Sequence, residues 1–216
     1  KMFERIPEEL RSVNQWHCWK LVDGTKIPVQ VDGSAAKSNS PETWTDFETA
    51  SDPAGFYPGL AFEITDPWTG VDLDDCIDEN GIKAWAFEIL CRFDGIGFAE
   101  ISPSQTGIKI LTKARKPEGS RSQSKFKVGS VEVYDNRRFW TITGDLYNGQ
   151  DEIRDGQEAV DWLCEKFLSK EKKNSESMVL PMVPRVAGTS LEKRVQSYLE
   201  SVPAATEGQR NTSAFN

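Results

Sequence analysis

Apolar and polar positions along this chain fall into short alternating runs, interrupted by stretches with helical spacing. Residues 15–22 (QWHCWKLV) alternate and are rich in tryptophan, which predicts a strand. A loop-rich stretch, KIPVQVDGSAAKSNSPETW, follows over 26–44. At its end Pro41-Glu42-Thr43-Trp44 reads as a helix start, with proline early and an acid in the first turn, and the helix is expected to run through about Ala50. Runs 59–65 (GLAFEIT) and 70–76 (GVDLDDC) alternate on either side of Asp66-Pro67-Trp68-Thr69, a turn composition, and predict a β-hairpin. Ile82, Trp85, Ala86, Ile89 and Leu90 recur at helical spacing and predict an amphipathic helix over 81–94. Runs 97–102 and 107–112 predict a strand pair around Pro103-Ser104-Gln105-Thr106. Two more alternating runs, 130–135 (SVEVYD) and 138–143 (RFWTIT), precede a helix over 156–168. The expected fold is therefore α+β, a mainly antiparallel sheet with flanking helices.

From about Ser169 the pattern fades. KEKKNSESM is polar and charged, and aromatic residues nearly vanish. Three segments are expected: a packed domain over 1–169, a linker over 170–188, and a C-terminal helical segment over 189–216. In the last, Thr189-Ser190 reads as an N-cap, and Leu191, Val195, Tyr198 and Leu199 form one apolar stripe. That stripe needs a partner, so the chain is expected to be a piece of a longer protein.

Composition narrows the function. The 216 residues are 38% hydrophobic and 10% aromatic, enough for a packed core. No apolar run reaches the roughly 18 residues of a membrane span and no signal-peptide pattern opens the chain, which leads to the expectation of a cytoplasmic protein with no membrane partner. Cys18, Cys76, Cys91 and Cys164 are scattered without a C-x-x-C, and His17 is the only histidine. Reduced thiols in or near a core are expected, and His-centred nucleophilic catalysis is disfavoured.

The net charge of −8 speaks against nucleic-acid binding, but its distribution does not. Between positions 109 and 127 stand Lys109, Lys113, Arg115, Lys116, Arg121, Lys125 and Lys127, with Glu118 the only acid. Gly119, Ser120, Ser122 and Ser124 give the middle a loop-like composition. Either this is a solvated basic loop or it meets phosphates.

Gly70-Val71-Asp72-Leu73-Asp74-Asp75 carries the candidate chemistry. On a strand, Val71 and Leu73 point one way and Asp72 and Asp74 the other. The two aspartate Cα atoms then lie roughly 6.6 Å apart, at about 3.3 Å per residue. Two ionised carboxylates so placed repel, and a divalent metal removes that cost. D-x-D pairs are also common in loops and caps. A calcium loop counted from Asp72 fails, with Ile77 at position six and Lys83 at position twelve. A third acid is available at Glu132, between Val131 and Val133, with Asp135 its competitor; Glu132 is otherwise an ordinary solvent-facing strand residue.

Three stretches, in order, resemble the archaeo-eukaryotic-type primase-polymerases of phages, plasmids and prophages. DPWTGVDLDDC (66–76) resembles their metal-binding strand, AEISPSQTGIKI (99–110) their nucleotide-binding turn, and VEVYDNRRFWTITGD (131–145) their third-acid strand with the Arg-aromatic strand after it. The leading W-x-x-W-K…K-I-P and T-W-x-D-F-E-T-A are similar as well, and together these cover about 15–150. The resemblance implies that Asp72, Asp74 and Glu132 bind catalytic Mg²⁺ or Mn²⁺. It implies that Ser104 and Gly107 shape the turn receiving a triphosphate, and that Arg138, Thr141 and Thr143 reach the same phosphates. Lys109 stands where the family usually has histidine, and Gln105 where it usually has glycine. A lysine meets a triphosphate as a point charge but is no near-neutral proton shuttle.

The implied activity is a template-directed DNA primase/polymerase, with (deoxy)nucleoside triphosphates as substrates and single-stranded DNA as template. Lys113, Arg115, Lys116, Arg121, Lys125 and Lys127 are the expected DNA contacts. A helicase module is the expected partner, encoded beyond this segment, because the chain has no Walker-type motif of its own. If phage-encoded, the protein is expected in the host cytoplasm. The rival readings are a non-catalytic single-stranded-DNA-binding module of the same fold, a two-metal nuclease, and a calcium-stabilised structural domain.

Overall fold

A computed structural model of the chain describes residues 2–170. The expected linker and helical segment beyond Lys170 lie outside the described residues. The architecture is α+β with antiparallel sheets. After a short helix α1 (Glu8–Arg11), strands β1 (Trp16–Val22) and β2 (Thr25–Val29) form a hairpin. Helix α2 (Phe47–Ser51) leads to β3 (Gly59–Ile64) and β4 (Trp68–Asp74). A small ribbon of β5 (Ile77–Asp78) and β6 (Gly81–Ile82) precedes helix α3 (Ala84–Arg92). Strands β7 (Phe98–Ile101), β8 (Ile108–Lys113), β9 (Gln123–Phe126), β10 (Gly129–Tyr134) and β11 (Arg138–Ile142) follow, and α4 (Gln157–Phe167) comes last.

These strands make two main sheets rather than one. The first has the order β11-β3-β1-β2 and the second β7-β8-β4-β10-β9. The expected hairpin of 59–65 with 70–76 is therefore wrong. β3 pairs with β1 and β11, whereas β4 pairs with β8 and β10. Both strands are central and buried along nearly their whole length, and the turn at Asp66-Pro67 carries the chain from one sheet to the other. Alternation marked them as strands, but only long-range partners decide their pairing.

Three further expectations need correction. The single helix from Pro41 to Ala50 is a 3₁₀ turn (Pro41–Thr43) and a separate helix. Trp44 is extended, Thr45 bridges to Trp16, and Asp46 starts α2 by accepting the Thr49 N–H at 2.8 Å. The loop-rich 26–44 begins with β2, a strand at the sheet edge, where Pro28 is tolerated. The basic stretch is not all loop, because β9 runs through Gln123–Phe126. Of the four thiols, Cys18, Cys76 and Cys164 are buried and Cys91 is exposed.

Two cores sandwich the five-stranded sheet. On one face Val71, Leu73, Ile108, Ile110, Val131 and Val133 pack against Trp85 and Ile89 of α3 and Val160 and Leu163 of α4. On the other, Trp68, Phe98 and Leu111 meet Phe62, Ile64 and Trp140 of the four-stranded sheet. No helix among the described residues is long and apolar enough to cross a membrane.

Candidate active site

Antiparallel register lines up one row of polar side chains across all five strands of the second sheet. Glu100 of β7 lies opposite Lys109 of β8, Lys109 opposite Asp72 of β4, Asp72 opposite Glu132 of β10, and Glu132 opposite Gln123 of β9. Residues directly opposite share a face, so these five side chains emerge together. It is the face away from α3 and α4, because their strand neighbours Val71, Leu73, Ile108, Ile110, Val131 and Val133 all lie in the helix-side core. Asp74 stands two residues further along β4, on the same face and opposite Ser130.

The row is largely withdrawn from water. Asp72, Lys109 and Glu132 are each 7% exposed. Lys109 Nζ is 2.5 Å from Asp72 Oδ2 and lies 4.0 Å from the centre of the Trp140 ring. Trp140 comes this close because Gly70 has no side chain: a Cβ there would stand 2.8 Å from Trp140 Cζ3 and 2.6 Å from Ile64 Cδ1. Glu132 is held by the side chains of Gln123, Tyr134 (2.9 Å) and Arg138 (3.3 Å). Burial, and then the hydrogen bond to Glu132, push the Tyr134 phenol up to about 12. Asp135, the rival third acid, follows β10 and accepts from Lys116 N, whereas Glu132 lies directly opposite Asp72.

Electrostatics separates the two aspartates. Asp72 Oδ1 is buried and has no hydrogen-bond partner. Burial first, and the charge of Asp72 second, raise the Asp74 carboxyl above its ordinary value. An orphaned buried carboxylate oxygen beside a repelled carboxylate is an arrangement that a divalent cation satisfies. Among the described residues no three His, Cys, Asp or Glu groups are gathered tightly enough to hold an ion by themselves. Glu132, opposite Asp72, has its carboxylate engaged by Gln123, Tyr134 and Arg138.

The turn between β7 and β8 borders this row. Ser102, Ser104 and Thr106 form a ladder of hydroxyl contacts at 2.9 and 3.0 Å, and Gly107 N donates to Ser102 Oγ at 3.2 Å. Gly107 must lack a side chain, since a Cβ would lie 2.8 Å from the Leu73 carbonyl oxygen. Gln105 has φ +63°, which explains why glycine suits that position better.

Other predicted residues are more dispersed. Arg138 lies at the rim, over the Tyr134 ring at 4.5 Å. Thr143 donates its hydroxyl to Ile101 O at 2.8 Å, so that group secures the strand end. Thr141 alternates with Trp140 on β11, and its hydroxyl is buried without a partner. The basic cluster divides. Lys113 pairs with Glu9 at 2.5 Å and Arg115 with Asp66 at 2.9 Å. Lys116 Nζ donates to Ser122 at 2.7 Å and Arg121 to Ser169 O at 2.9 Å. Lys125 is exposed, opposite Ser130 and therefore on the carboxylate face, and Lys127 is exposed just beyond β9.

Two charged residues escape a reading of the sequence. Glu100 is fully buried and accepts the N–H groups of Thr143 and Gly144 at 3.0–3.1 Å, which fixes the end of β11. Burial lifts its carboxyl to about 7, against the pull of those N–H groups and of Lys109. Lys26 of β2, half-buried, has its ammonium pKa lowered by burial and then by Lys109, while Asp72 and Asp74 oppose the shift. Those interactions bring a cation from the other sheet into the field of the carboxylates. Its one signal in the sequence was the K-I-P of the leading unit.

No protein-family model matches the chain. The DNA primase-polymerase of Nitratiruptor phage NrS-1 is 36% identical over 164 residues, which cover 71% of this chain and 23% of that protein. The chain thus spans less than a quarter of the length of that curated relative. This identity joins the sequence resemblance to the fold: the chain belongs to the phage DNA primase-polymerase family.

Proposed function

We propose that residues 1–169 form the catalytic unit of a template-directed DNA primase-polymerase, joining (deoxy)nucleoside triphosphates on single-stranded DNA. The observation that carries this reading is the alignment of Asp72, Lys109 and Glu132 in one row, with Asp74 beside it and one oxygen of Asp72 left unpartnered. The phage relative's name supports the same activity.

In this reading Asp72 and Asp74, with Glu132 turning in, hold Mg²⁺ or Mn²⁺. Such ions, when bound, neutralise triphosphate charge and activate the 3′-hydroxyl for in-line displacement of pyrophosphate. The protein's own groups do the positioning. Arg138 offers a forked donor to phosphate oxygens, and Lys109 a point charge. The turn with Ser104 and Gly107 receives the triphosphate. Thr141 lies on β11 of the four-stranded sheet, and Thr143 acts by holding the end of that strand in place. Lys125 and Lys127 meet the template's phosphates first. Lys113, Arg115, Lys116 and Arg121 exchange their weak intramolecular contacts for phosphates further along. A helicase module is the proposed partner, and the host cytoplasm, where template and nucleotides meet, the proposed place of action.

One observation favours a second reading. The Lys109–Asp72 ion pair already neutralises a proposed metal ligand, as a non-catalytic DNA-binding module of the same fold permits. Incorporation of labelled nucleotides on single-stranded DNA with Mg²⁺ or Mn²⁺ separates the two. Wild type is expected to give template-dependent products, and Asp72→Ala to lose them by on the order of 10²–10³-fold. DNA binding without products selects the non-catalytic module. Release of nucleotides from DNA without any triphosphate selects a nuclease.

A further inference from the structure

We infer that Lys109 is a built-in cation that keeps divalent metal off the aspartate pair until a nucleoside triphosphate arrives, so that metal and nucleotide load together. The inference rests on the nucleotidyl-transfer reading above and adds an order of loading to it.

The geometry gives Lys109 little freedom to leave. Its ammonium touches Asp72 Oδ2 at 2.5 Å and faces the Trp140 ring at 4.0 Å. Trp140 is itself seated against Gly70, and on the far side of Lys109 in the row stands the fully buried Glu100. With one oxygen committed to Lys109, Asp72 has only Oδ1 to give without breaking a buried ion pair.

Charge points the same way. Asp72, Asp74 and Glu132 bring three negative charges to the site face, Lys109 and Arg138 return two positive ones through direct contacts, and Lys26 from the other sheet and Glu100 beside Lys109 add one charge of each sign. The remainder is too small to attract two divalent ions in a poorly solvated site. A bound triphosphate adds roughly four negative charges and restores the balance. Its oxygens also offer Lys109 an alternative partner, which frees Asp72 Oδ2. A neutral histidine at position 109 imposes no such block.

The test is Mn²⁺ binding, read by loss of the free-ion electron paramagnetic resonance signal, on the full chain at pH 8. Wild type is expected to bind Mn²⁺ weakly alone and much more tightly with a non-hydrolysable deoxynucleoside triphosphate, after subtraction of the Mn²⁺ that the triphosphate holds without protein. Lys109→Gln is expected to bind Mn²⁺ alone at least about tenfold more tightly than wild type. Lys109→Arg keeps the charge and should behave as wild type. Lys109→Met, neutral, close to lysine in shape and a poor ligand for Mn²⁺, repeats the gain if the Gln variant folds poorly. Adding Asp74→Ala to Lys109→Gln should abolish the gain, which locates the ion.

Tight nucleotide-free binding by wild type, or no gain in either neutral variant, overturns the inference and leaves the polymerase reading standing. Failure of every form to bind Mn²⁺, with or without triphosphate, overturns both.

Discussion

The five-stranded sheet presents two unlike faces built from alternate residues of the same strands. On the helix side Val71, Leu73, Ile108, Ile110, Val131 and Val133 are fully buried and wholly apolar. On the other side, one residue away along each strand, Asp72, Lys109 and Glu132 are nearly as buried and are charged. Burial is thus similar, but the energetics are opposite in sign. The apolar face gains from leaving water at about 25 cal/mol per Å². The charged row is desolvated against its preference and relies on pairing, and one oxygen of Asp72 is left without a partner. A face whose stability has been given up in this way is where function is expected.

Breaking the apolar face should cost stability and nothing else. Leu163 of α4 is fully buried in the helix-side core, and Leu163→Ala should lower unfolding free energy by about 2–5 kcal/mol. Urea titration checks this, and nucleotide incorporation per folded molecule should stay at the wild-type level. Changed incorporation per folded molecule would show that the two faces are not separable.

The charged face should instead show itself through pH. The folded Glu100 carboxyl lies at about 7, against an ordinary value of 4.5, because burial penalises its charge. Between those values the unfolded chain has lost a proton that the folded chain retains. Stability is therefore greatest at the acid end of this window and declines as pH rises toward 7. The decline should be on the order of 1 kcal/mol per pH unit. Urea midpoints measured from pH 5 to 7.5 should show it in wild type, and Glu100→Gln should flatten it.

The smallest effect belongs to the turn joining β7 and β8. Gln105→Gly relieves a left-handed backbone at φ +63° and should stabilise the protein by about 1 kcal/mol or less, since glycine also loosens the unfolded chain. Thermal melting is the measurement, and a fall in Tm would show that the Gln105 side chain contributes more than its backbone conformation takes away.

Much of this was legible in the sequence. Every run that alternates became a strand, and Asp72 and Asp74 could be placed on one face because Val71 and Leu73 alternate with them, whereas Glu132 joined them only through the family resemblance. Pairing was not legible. β3 and β4 are separated by three residues yet lie in different sheets, because each is a central strand completed by partners distant in the chain. Nothing local singles out Glu100, because the N–H groups of Thr143 and Gly144 that it accepts come from a distant stretch of the chain. The placement of the basic cluster was likewise not legible. Its members are spread over β8, the stretch after it and β9, so Lys125 shares the carboxylate face while Arg115 pairs with Asp66.

Asp74→Asn tests the central claim most directly, because it sets function against stability at a single site. Burial and the neighbouring Asp72 charge both act against ionised Asp74. Removing that charge should leave the metal-free protein as stable as wild type, or more so, while templated nucleotide incorporation falls by on the order of 10²-fold or more. Both quantities come from one preparation, a melting curve without metal and an incorporation assay with Mn²⁺. An unchanged or raised Tm with lost incorporation is the predicted result. Incorporation at the wild-type rate would contradict the account, since the carboxylate beside the row would then take no part in nucleotide transfer.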